Sequence, residues 1–332
     1  MGWPVLADPR SGARVPAATT VAHFDALLRV PELSAHHRPD IVLQLGGLPA
    51  SRVLMEWLAA CDAAGTRRVV VDPWGRRYDP SRSAAAVVAA DPGEVCHRLA
   101  AGSGASRHND TGWQEAWIGA EQAAAQAIAA VVDDGPLSEP LVARSVVEGL
   151  PSGASLVVAS SMPVRDVEWY AAPRTGLRVL ANRGANGIDG VVSTAVGVAV
   201  GGGNPVGALA GDLAFLHDTN ALLGLADRGA DLRIVVVDNR GGGIFSFLPH
   251  ADALPADVFE RYFGTPHRAD LVALATAHGI DAAPVDTAAE LTAALGQQGP
   301  WVRVVRTDRA ANAALHHHIH AAVAAAVEAT LA

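Results

Sequence analysis

Short apolar runs alternate with stretches of helical periodicity along the whole chain. Continuous apolar runs bounded by Gly, Asp or Pro are typical of strands buried on both faces of a parallel sheet. Such runs occupy residues 2–8, 40–45, 67–72, 86–89, 156–159, 179–180, 206–210, 234–237 and 301–305. Because strands and helices alternate, the pattern predicts an α/β fold with two doubly wound parallel sheets.

Helices are predicted between these strands from apolar residues at helical spacing and from capping residues. They cover residues 51–60, 94–99, 113–132, 138–148, 191–200, 215–226, 270–278 and 287–295, followed by a long Ala-rich terminal helix. The helix over 215–226 ends near a cation and a glycine, Arg228 and Gly229, which favours a single crossover helix there.

The segment AGSGASRHNDTG, residues 101–112, has the composition of a linker between two domains. We therefore predict a first domain over residues 1–105, a linker over 106–112 and a second domain over 113–332. The second domain has the strands and helices of a complete doubly wound unit.

Oxygen-bearing side chains follow two successive strands of the second domain. Asp212 comes directly after VGALA, whereas Asp238 and Asn239 follow IVVV and precede the glycines of residues 241–243. Right-handed crossovers bring such strand ends side by side, where open α/β sheets bind ligands. Each feature alone is common as a helix cap or a surface turn. Together they predict a site for a hard cation such as Mg²⁺ that holds a diphosphate.

Composition narrows the classes of function. All 25 basic residues are Arg, which excludes a Schiff-base lysine and the lysine of a phosphate-binding P-loop. The net charge of −9 argues against nucleic-acid binding, and no apolar run is long enough to span a membrane. Cys61 and Cys96 lie apart from any CxxC pattern, and no signal peptide is recognisable. We expect a reduced cytoplasmic protein with both thiols buried.

Four His residues near the C-terminus suggest a possible metal site. His316 and His320 have the spacing of one helical turn, but no carboxylate or thiol accompanies them. We therefore expect them on the solvated face of the terminal helix.

Four motifs in order carry a family resemblance. They are SSMPVRD (160–166), ANRGANGIDGVVSTAVG (181–197), GDLAFLHD (211–218) and GGGIFSFLP (241–249), and 27 residues separate Asp212 from Asn239. The spacing resembles the thiamine-diphosphate signature. The residues of the motifs resemble those of the 2-succinyl-5-enolpyruvyl-6-hydroxy-3-cyclohexene-1-carboxylate synthases, which are transferases of menaquinone biosynthesis.

The resemblance implies a cofactor, substrates and an assembly. The cofactor is thiamine diphosphate with Mg²⁺ or Mn²⁺, and the substrates are 2-oxoglutarate, which is decarboxylated, and isochorismate, which receives the succinyl unit. Family members are homo-oligomers, with a homodimer as the smallest unit. Neither nucleic acid nor a membrane is an expected partner.

The resemblance also assigns residues. The metal ligands would be Asp212, Asn239 and the carbonyl of Gly241, and substrate carboxylates would contact Ser161, Arg165 and Arg183. The cofactor would contact Gly184, Ile188, Gly211, Asp212, Leu213, Ile244, Phe245 and Leu248. Asp238 stands where many thiamine enzymes have Asn, which leaves open whether it also contacts the metal.

The sequence departs from the family in what it lacks. The pyrimidine-binding domain, with the Glu that activates the cofactor, has no match here, and the central domain lacks its first strand-helix unit. No catalytic residue is therefore assigned, and we expect the chain alone to be inactive, as an N-terminally truncated synthase. The alternatives are a subunit of a split enzyme, a non-catalytic protein that binds Mg-diphosphate, or another thiamine-diphosphate enzyme. A nicotinamide dehydrogenase is disfavoured because no GxGxxG follows a strand.

Overall fold

The computed structural model describes residues 2–102, 111–182 and 187–332. Within these residues the chain forms two compact units. One comprises Met1–Asp8, Ala17–Ala127 and Ala322–Ala332, and the other comprises Pro9–Pro16 and Ile128–Ala321. Each unit contains one parallel sheet, as the alternation of strands and helices predicts.

The first unit is built on a three-stranded sheet in the order β1-β2-β3. Its elements are α1 (Phe24–Leu28), α2 (Pro31–His36), β1 (Ile41–Leu45), α3 (Arg52–Ala63), β2 (Arg67–Val71), β3 (Ala86–Val88), α4 (Pro92–Gly102) and α5 (Thr111–Val132). Only the central strand β2 is well buried, and Ile41 and Leu45 of the edge strand β1 are exposed. This unit therefore has a small core for its size.

A buried ion-pair cluster stabilises the first unit at β2. The guanidinium of Arg68 lies 2.7 Å from Asp62 and 2.6 Å from Asp79. Burial by itself would raise the pKa of Asp79, but hydrogen bonds from the Ala84 amide and from Arg68 outweigh it and lower that pKa to about 2. The cluster is well paired, as a buried cation requires.

The second unit is a six-stranded parallel sheet in the order β5-β4-β6-β7-β9-β8. Its elements up to β7 are α6 (Glu139–Gly149), β4 (Ala154–Val158), α7 (Met162–Tyr170), β5 (Leu177–Leu180), α8 (Val191–Gly202), β6 (Val206–Gly211), α9 (Asp212–His217) and β7 (Leu232–Asp238). The remainder are α10 (His250–Ala253), α11 (Ala256–Phe259), α12 (Leu271–Ala277), β8 (Asp281–Pro284), α13 (Ala288–Leu295), β9 (Trp301–Arg306) and α14 (Arg309–Leu331).

The central strands of this sheet lie in its hydrophobic core. Every residue of β4 and β7 is buried, which accounts for their uninterrupted apolar runs. Helix α8 packs Val192, Ala195 and Val196 into the same core cluster as β6. Apolar residues on both faces of the sheet thus fix the positions of the strand ends.

The predicted domain boundary remains a prediction. Residues 106–110 of the predicted linker lie outside the described residues, whereas 111 and 112 belong to α5. Most of α5 groups with the first compact unit, which continues to Ala127 before the chain enters the second.

Two predicted elements are wrong. Residues 2–8 form no strand; only Val5 among them makes a bridge, to Thr20, and the prolines at positions 4 and 9 lack the amides that a ladder requires. The predicted crossover helix over 215–226 is broken into α9 and two short 3₁₀ turns, Thr219–Leu222 and Ala226–Arg228. The break follows Asp218, whose carboxylate accepts hydrogen bonds from the amide and the hydroxyl of Ser193.

Several elements escaped prediction: the short helices α1, α2, α10 and α11, the helix α7 and the strand β8. Helix α7 follows Ser161 and contains Pro163 in its first turn, a position that suits proline. The edge strand β8 pairs only with β9 and consists of Asp, Ala and Pro, which have low strand propensity.

The predicted environments of His316, in solvent, and Cys96, in the interior, are also wrong. His316 is fully buried, and its Nδ1 atom lies 2.7 Å from the hydroxyl of Tyr170, because α14 packs this face against the end of α7. His320 is half-buried and its ring contacts Trp169. Cys61 is buried as expected, whereas Cys96 is exposed on α4, a helix with no buried residue. Among the described residues, no helix combines the length and the apolar character needed to cross a membrane.

Candidate active site

The site lies at the carboxyl edge of the six-stranded sheet. The chain runs from β4 outward to β5 and then returns to place β6 on the other side of β4, so the order reverses between β4 and β6. Such a reversal opens a crevice at the carboxyl ends of the strands, where doubly wound sheets bind ligands. Ser161 follows β4, Asp212 follows β6 and Asn239 follows β7.

Asp212 is the centre of this edge. Its side chain is buried, and its Oδ1 atom accepts a hydrogen bond from the Leu213 amide at 2.6 Å. Its Oδ2 atom accepts from the Gly241 amide at 2.8 Å and lies 3.0 Å from Nε2 of His267. Burial raises the pKa of Asp212, and these hydrogen bonds oppose the rise. A buried carboxylate of this kind is suited to a cation.

The glycines of the turn after β7 are required by close backbone approach. A Cβ atom on Gly241 would lie 2.0 Å from the Gly264 carbonyl oxygen, and the residue has a φ of +146°. A Cβ atom on Gly242 would lie 2.3 Å from the carbonyl oxygen of Phe263. The turn therefore packs directly against the segment 260–264, which carries the chain towards His267.

Asn239 has its two amide atoms in different environments. Its Nδ2 atom donates to Oε1 of Glu139 at 2.9 Å, whereas its Oδ1 atom is buried and has no hydrogen-bond partner. Thr307 donates its hydroxyl to the same Glu139 oxygen, also at 2.9 Å. Burial and then the negative charge of Asp212 raise the pKa of Glu139, against these two hydrogen bonds.

The orphaned oxygen of Asn239 provides a test of whether a cation fits. A buried amide oxygen without a donor is costly, and a bound cation would satisfy it. Together with the carboxylate of Asp212, it offers the hard oxygen ligands that Mg²⁺ and Mn²⁺ accept. The residues present therefore fit a divalent cation.

Among the described residues, one cluster of carboxylate and imidazole groups could also hold a metal. Oxygens of Asp212 and Asp238 and the Nε2 atom of His267 lie within 4.8 Å of one another. Asp238 is buried, and its Oδ1 atom lies 3.7 Å from His267 and accepts from the Arg240 amide at 3.2 Å. Asp238 therefore lies close to Asp212, which is a predicted metal ligand. His267 adds an imidazole nitrogen to the same cluster.

Gly241 contacts Asp212 through its amide. Its carbonyl, the predicted metal ligand, accepts the amide of Gly243 at 3.0 Å. The metal role of the carbonyl remains a prediction.

The predicted substrate residues are only partly described. Arg165 donates from Nη1 to the carbonyl of Ser161 at 2.6 Å, so its guanidinium folds over the end of β4. Ser161 has a φ of +74°, rare for a residue with a side chain, at the entry to α7. Arg183 and Gly184 lie outside the described residues, but Asn182 just before them accepts the Ser160 hydroxyl at 3.5 Å.

The predicted apolar wall lies on both sides of this edge. Ile188 packs partly buried against the core cluster. Ile244 and Phe245 lie on a 3₁₀ turn, Gly243–Phe247, that ends at Leu248, and all three are half-buried. Phe245 packs its ring edge against Phe263 at 5.5 Å. Gly211 and Leu213 flank Asp212 and are half-buried, and their contact with the cofactor remains a prediction.

Sequence reasoning missed Glu139 and His267. Glu139 follows the N-cap Ser138 and has the sequence context of an acidic residue in the first turn of a helix. It lies 100 positions from Asn239, and His267 lies 55 positions from Asp212. A single sequence gives no signal for either contact.

Comparisons with known proteins agree with the strand-end geometry. Residues 1–158 match the family model described as the middle domain of thiamine pyrophosphate enzymes, and residues 164–302 match the C-terminal TPP binding domain. The chain is similar to proteins named 2-succinyl-5-enolpyruvyl-6-hydroxy-3-cyclohexene-1-carboxylate synthase. Identity is 41% with that of Myxococcus xanthus, 42% with that of Thermobifida fusca and 41% with that of Halobacterium salinarum.

These matches cover nearly all of this chain but only part of each relative. They span 98%, 98% and 94% of the chain, and 56%, 57% and 53% of the three relatives in the same order. The chain thus spans about half the length of the curated relatives it matches.

Proposed function

Since the chain belongs to the family of 2-succinyl-5-enolpyruvyl-6-hydroxy-3-cyclohexene-1-carboxylate synthases, we propose that its sheet edge is the diphosphate-and-cation half of such a synthase's active site. One observation carries the proposal: Asp212 after β6 accepts a hydrogen bond at 2.8 Å from the amide of Gly241 after β7, and Asn239, two positions before Gly241, has a buried side-chain oxygen without a hydrogen-bond partner. Two adjacent strand ends thus carry oxygen groups of the kind that a hard cation accepts.

The residues of this chain have distinct tasks in the proposed site. Asp212, Asn239 and the Gly241 carbonyl hold Mg²⁺ or Mn²⁺, which neutralises the diphosphate. The half-buried apolar side chains of Ile188, Ile244, Phe245 and Leu248 exclude water beside it. When bound, thiamine diphosphate supplies the carbanion chemistry for decarboxylation and carbon-carbon bond formation.

Substrate binding is assigned to the ends of β4 and β5. We assign Arg165 and Arg183 to the carboxylates of 2-oxoglutarate and isochorismate, with Ser161 beside them. A guanidinium binds a carboxylate through two parallel hydrogen bonds, which fixes its orientation as well as its charge. The support is positional, since Arg165 lies on α7, the helix that follows the carboxyl end of β4.

Turnover is proposed to need a further domain. The matched models cover a middle and a C-terminal domain, and the resemblance places the activating Glu on a separate pyrimidine-binding domain. We propose that the 332-residue chain holds the diphosphate end of the cofactor but does not turn over unless a pyrimidine-binding domain is supplied. The assembly that brings the two together is proposed to be a homo-oligomer.

Calorimetric titration of thiamine diphosphate into the purified chain with Mg²⁺ tests the proposal. We expect saturable binding that requires the metal and that Asp212→Ala weakens at least about 100-fold, more than the loss of a supporting residue does. Asp252→Ala, at an exposed position on α10, is the matched control and should bind as the wild type does.

Three results would overturn the proposal. Metal-independent binding, or binding that survives Asp212→Ala, would show that the cofactor is held elsewhere, and the absence of binding would show that the chain does not hold it. Consumption of 2-oxoglutarate and isochorismate by the chain alone, at the rate reached with an added pyrimidine-binding domain, would refute the proposed need for that domain.

A further inference from the structure

Glu139 is a buried carboxylate with no role in the site as proposed so far. It is the first residue of α6, its exposed fraction is 3%, and its Oε1 atom accepts hydrogen bonds from Asn239 and Thr307. Both donors are neutral groups, an amide and a hydroxyl, and the described residues contain no ion pair to Glu139. Burying a carboxylate beside neutral donors is unfavourable. We would therefore expect a neutral residue at position 139 unless the site needs its charge or its acceptor oxygens.

The contact determines which end of the Asn239 amide faces the cation site. An amide has a donor end and an acceptor end of nearly the same shape, and its hydrogen-bond partners decide the orientation. The Oε1 atom of Glu139 accepts the hydrogen bond from Asn239, so Nδ2 points to Glu139 and Oδ1 points away from it. That Oδ1 atom is the one left buried without a partner.

The surroundings restrict the side chain further. A Cβ atom on Gly243 would lie 2.6 Å from the Nδ2 atom of Asn239, so the amide packs directly against the backbone there. The hydroxyl of Thr307 donates to Glu139 from the end of β9 and holds the carboxylate in place. The amide of Asn239 is thus held by Glu139 and by the backbone at Gly243.

We infer that Glu139 is a positioning residue for the divalent cation, because it holds the Asn239 amide with its oxygen, and not its NH₂ group, towards the metal. The inference rests on the proposed function, in which Asn239 is a metal ligand. Without Glu139, the side-chain amide of Asn239 can rotate by half a turn. Its NH₂ group, which has a partial positive charge, would then point to the cation. Residues that orient a metal ligand commonly change metal affinity by about 10–100-fold.

The test measures Mn²⁺ affinity of the 332-residue chain by the electron paramagnetic resonance signal of free Mn²⁺, with thiamine diphosphate present. Glu139→Met removes the acceptor at similar length and should weaken Mn²⁺ binding about 10–100-fold. Glu139→Gln keeps an oxygen that can accept both hydrogen bonds and should stay within about threefold of the wild type. Glu148→Met, the same change at an exposed position of α6, is the matched control and should also remain within about threefold.

A second background separates orientation from general damage to the fold. A carboxylate has two equivalent oxygens, so in an Asn239→Asp background the orientation of the group no longer matters. There Glu139→Met should cause no loss of Mn²⁺ affinity and should remove a repulsion between two carboxylates. A purely structural role would predict the same loss in both backgrounds. Urea unfolding without metal verifies that each variant is folded, and Glu139→Ala replaces Glu139→Met if the Met variant is not.

Each outcome decides the question. If the wild type binds no Mn²⁺ with thiamine diphosphate, the proposed function fails and the inference with it. If the wild type binds but a folded Glu139→Met or Glu139→Ala variant binds as tightly, the inference alone is wrong. It is also wrong if the loss is equal in the Asn239→Asp background, or if Glu139→Gln loses as much affinity as Glu139→Met.

Discussion

The backbone amide of Gly241 donates a hydrogen bond to the Oδ2 atom of Asp212 at 2.8 Å, although 29 positions separate the two residues. The contact joins the end of β6 to the turn that follows β7. It exists only because the turn lies close to the backbone of residues 263–264, where any side chain at Gly241 would collide with a carbonyl oxygen.

Gly241→Ala should therefore destabilise the second unit. The new Cβ atom would lie 2.0 Å from the Gly264 oxygen at a φ of +146°, so the turn must move. We expect a loss of more than about 2 kcal/mol in the free energy of unfolding, measured with urea. Gly197→Ala on α8, with no atom near the added methyl group, should lose nothing and can gain up to about 1 kcal/mol. Equal effects of the two changes would contradict this explanation.

His267→Ala should change the metal preference of the site. The imidazole lies 3.0 Å from Asp212, and an imidazole ligand favours Co²⁺ over the harder ions Mg²⁺ and Mn²⁺. We expect Co²⁺ affinity to fall by about tenfold or more and Mg²⁺ affinity to change by less than about threefold, measured by competition against Mn²⁺. His318→Ala, on the exposed face of α14, should alter neither. A parallel loss for both metals would show that His267 acts only through the fold.

Asp79 makes the stability of the first unit depend on pH. Its pKa of about 2 in the folded state is below the ordinary value of 3.8, so its ion pair stabilises the fold above about pH 4. That contribution is lost as the pH falls towards 2, because protonation removes the charge that Arg68 binds. Asp79→Asn should therefore unfold more easily than the wild type at pH 6, and the difference should shrink between pH 4 and pH 3.

Urea unfolding at pH 6, 5, 4 and 3 measures this difference. Asp252→Asn, at an exposed position, is the control and should follow the wild type at each pH. A gap between Asp79→Asn and the wild type that stays constant across this range would show that charge is not the cause.

The two thiols should differ in reactivity. Burial raises the pKa of the Cys61 thiol to about 11, so little thiolate forms near pH 7, whereas Cys96 is exposed on α4. A coloured disulfide reagent should label one thiol rapidly in the folded chain and the second only after denaturation. Cys96→Ser should abolish the rapid phase and Cys61→Ser should preserve it. Rapid labelling of Cys96→Ser would contradict the buried environment of Cys61.

His316→Ala should destabilise the second unit because it removes a fully buried ring and its 2.7 Å contact with the Tyr170 hydroxyl. A cavity and a lost hydrogen bond together predict a loss of about 2–4 kcal/mol in the free energy of unfolding. His318→Ala, two positions along the same helix but exposed, should change it by less than about 0.5 kcal/mol. Comparable losses would mean that burial at position 316 is not the cause.

Local patterns were sufficient for most of the core. The strands β4, β6, β7 and β9 were predicted at nearly their observed bounds because their continuous apolar runs lie between turn residues. The N-cap role of Ser138 on α6 was also predicted, and its hydroxyl accepts the Leu141 amide. The helix predicted over 215–226 failed because the side chain of Asp218 bonds to Ser193, a contact that propensity does not record.

The candidate site was predictable where motif and strand end coincide. Asp212 and Asn239 lie at successive strand ends, and their order along the sheet follows from right-handed crossovers. His267 and Glu139 were not predictable, because each reaches the site from a distant segment. His316 was assigned to solvent because its Ala-rich flanks gave no sign that α14 packs this face against Tyr170.

The sequence by itself determined the fold class, the family and the residues that end each strand, because all three are recorded in local patterns of apolar, Gly and acidic positions. The tertiary structure alone decided how those residues are oriented: which amide atom of Asn239 is bonded to Glu139, which carbonyl excludes a side chain at Gly241, and which imidazole lies against Asp212. The physical reason is that hydrogen-bond partners and packing contacts join segments far apart in the chain, and neither is encoded by the spacing of residues along it.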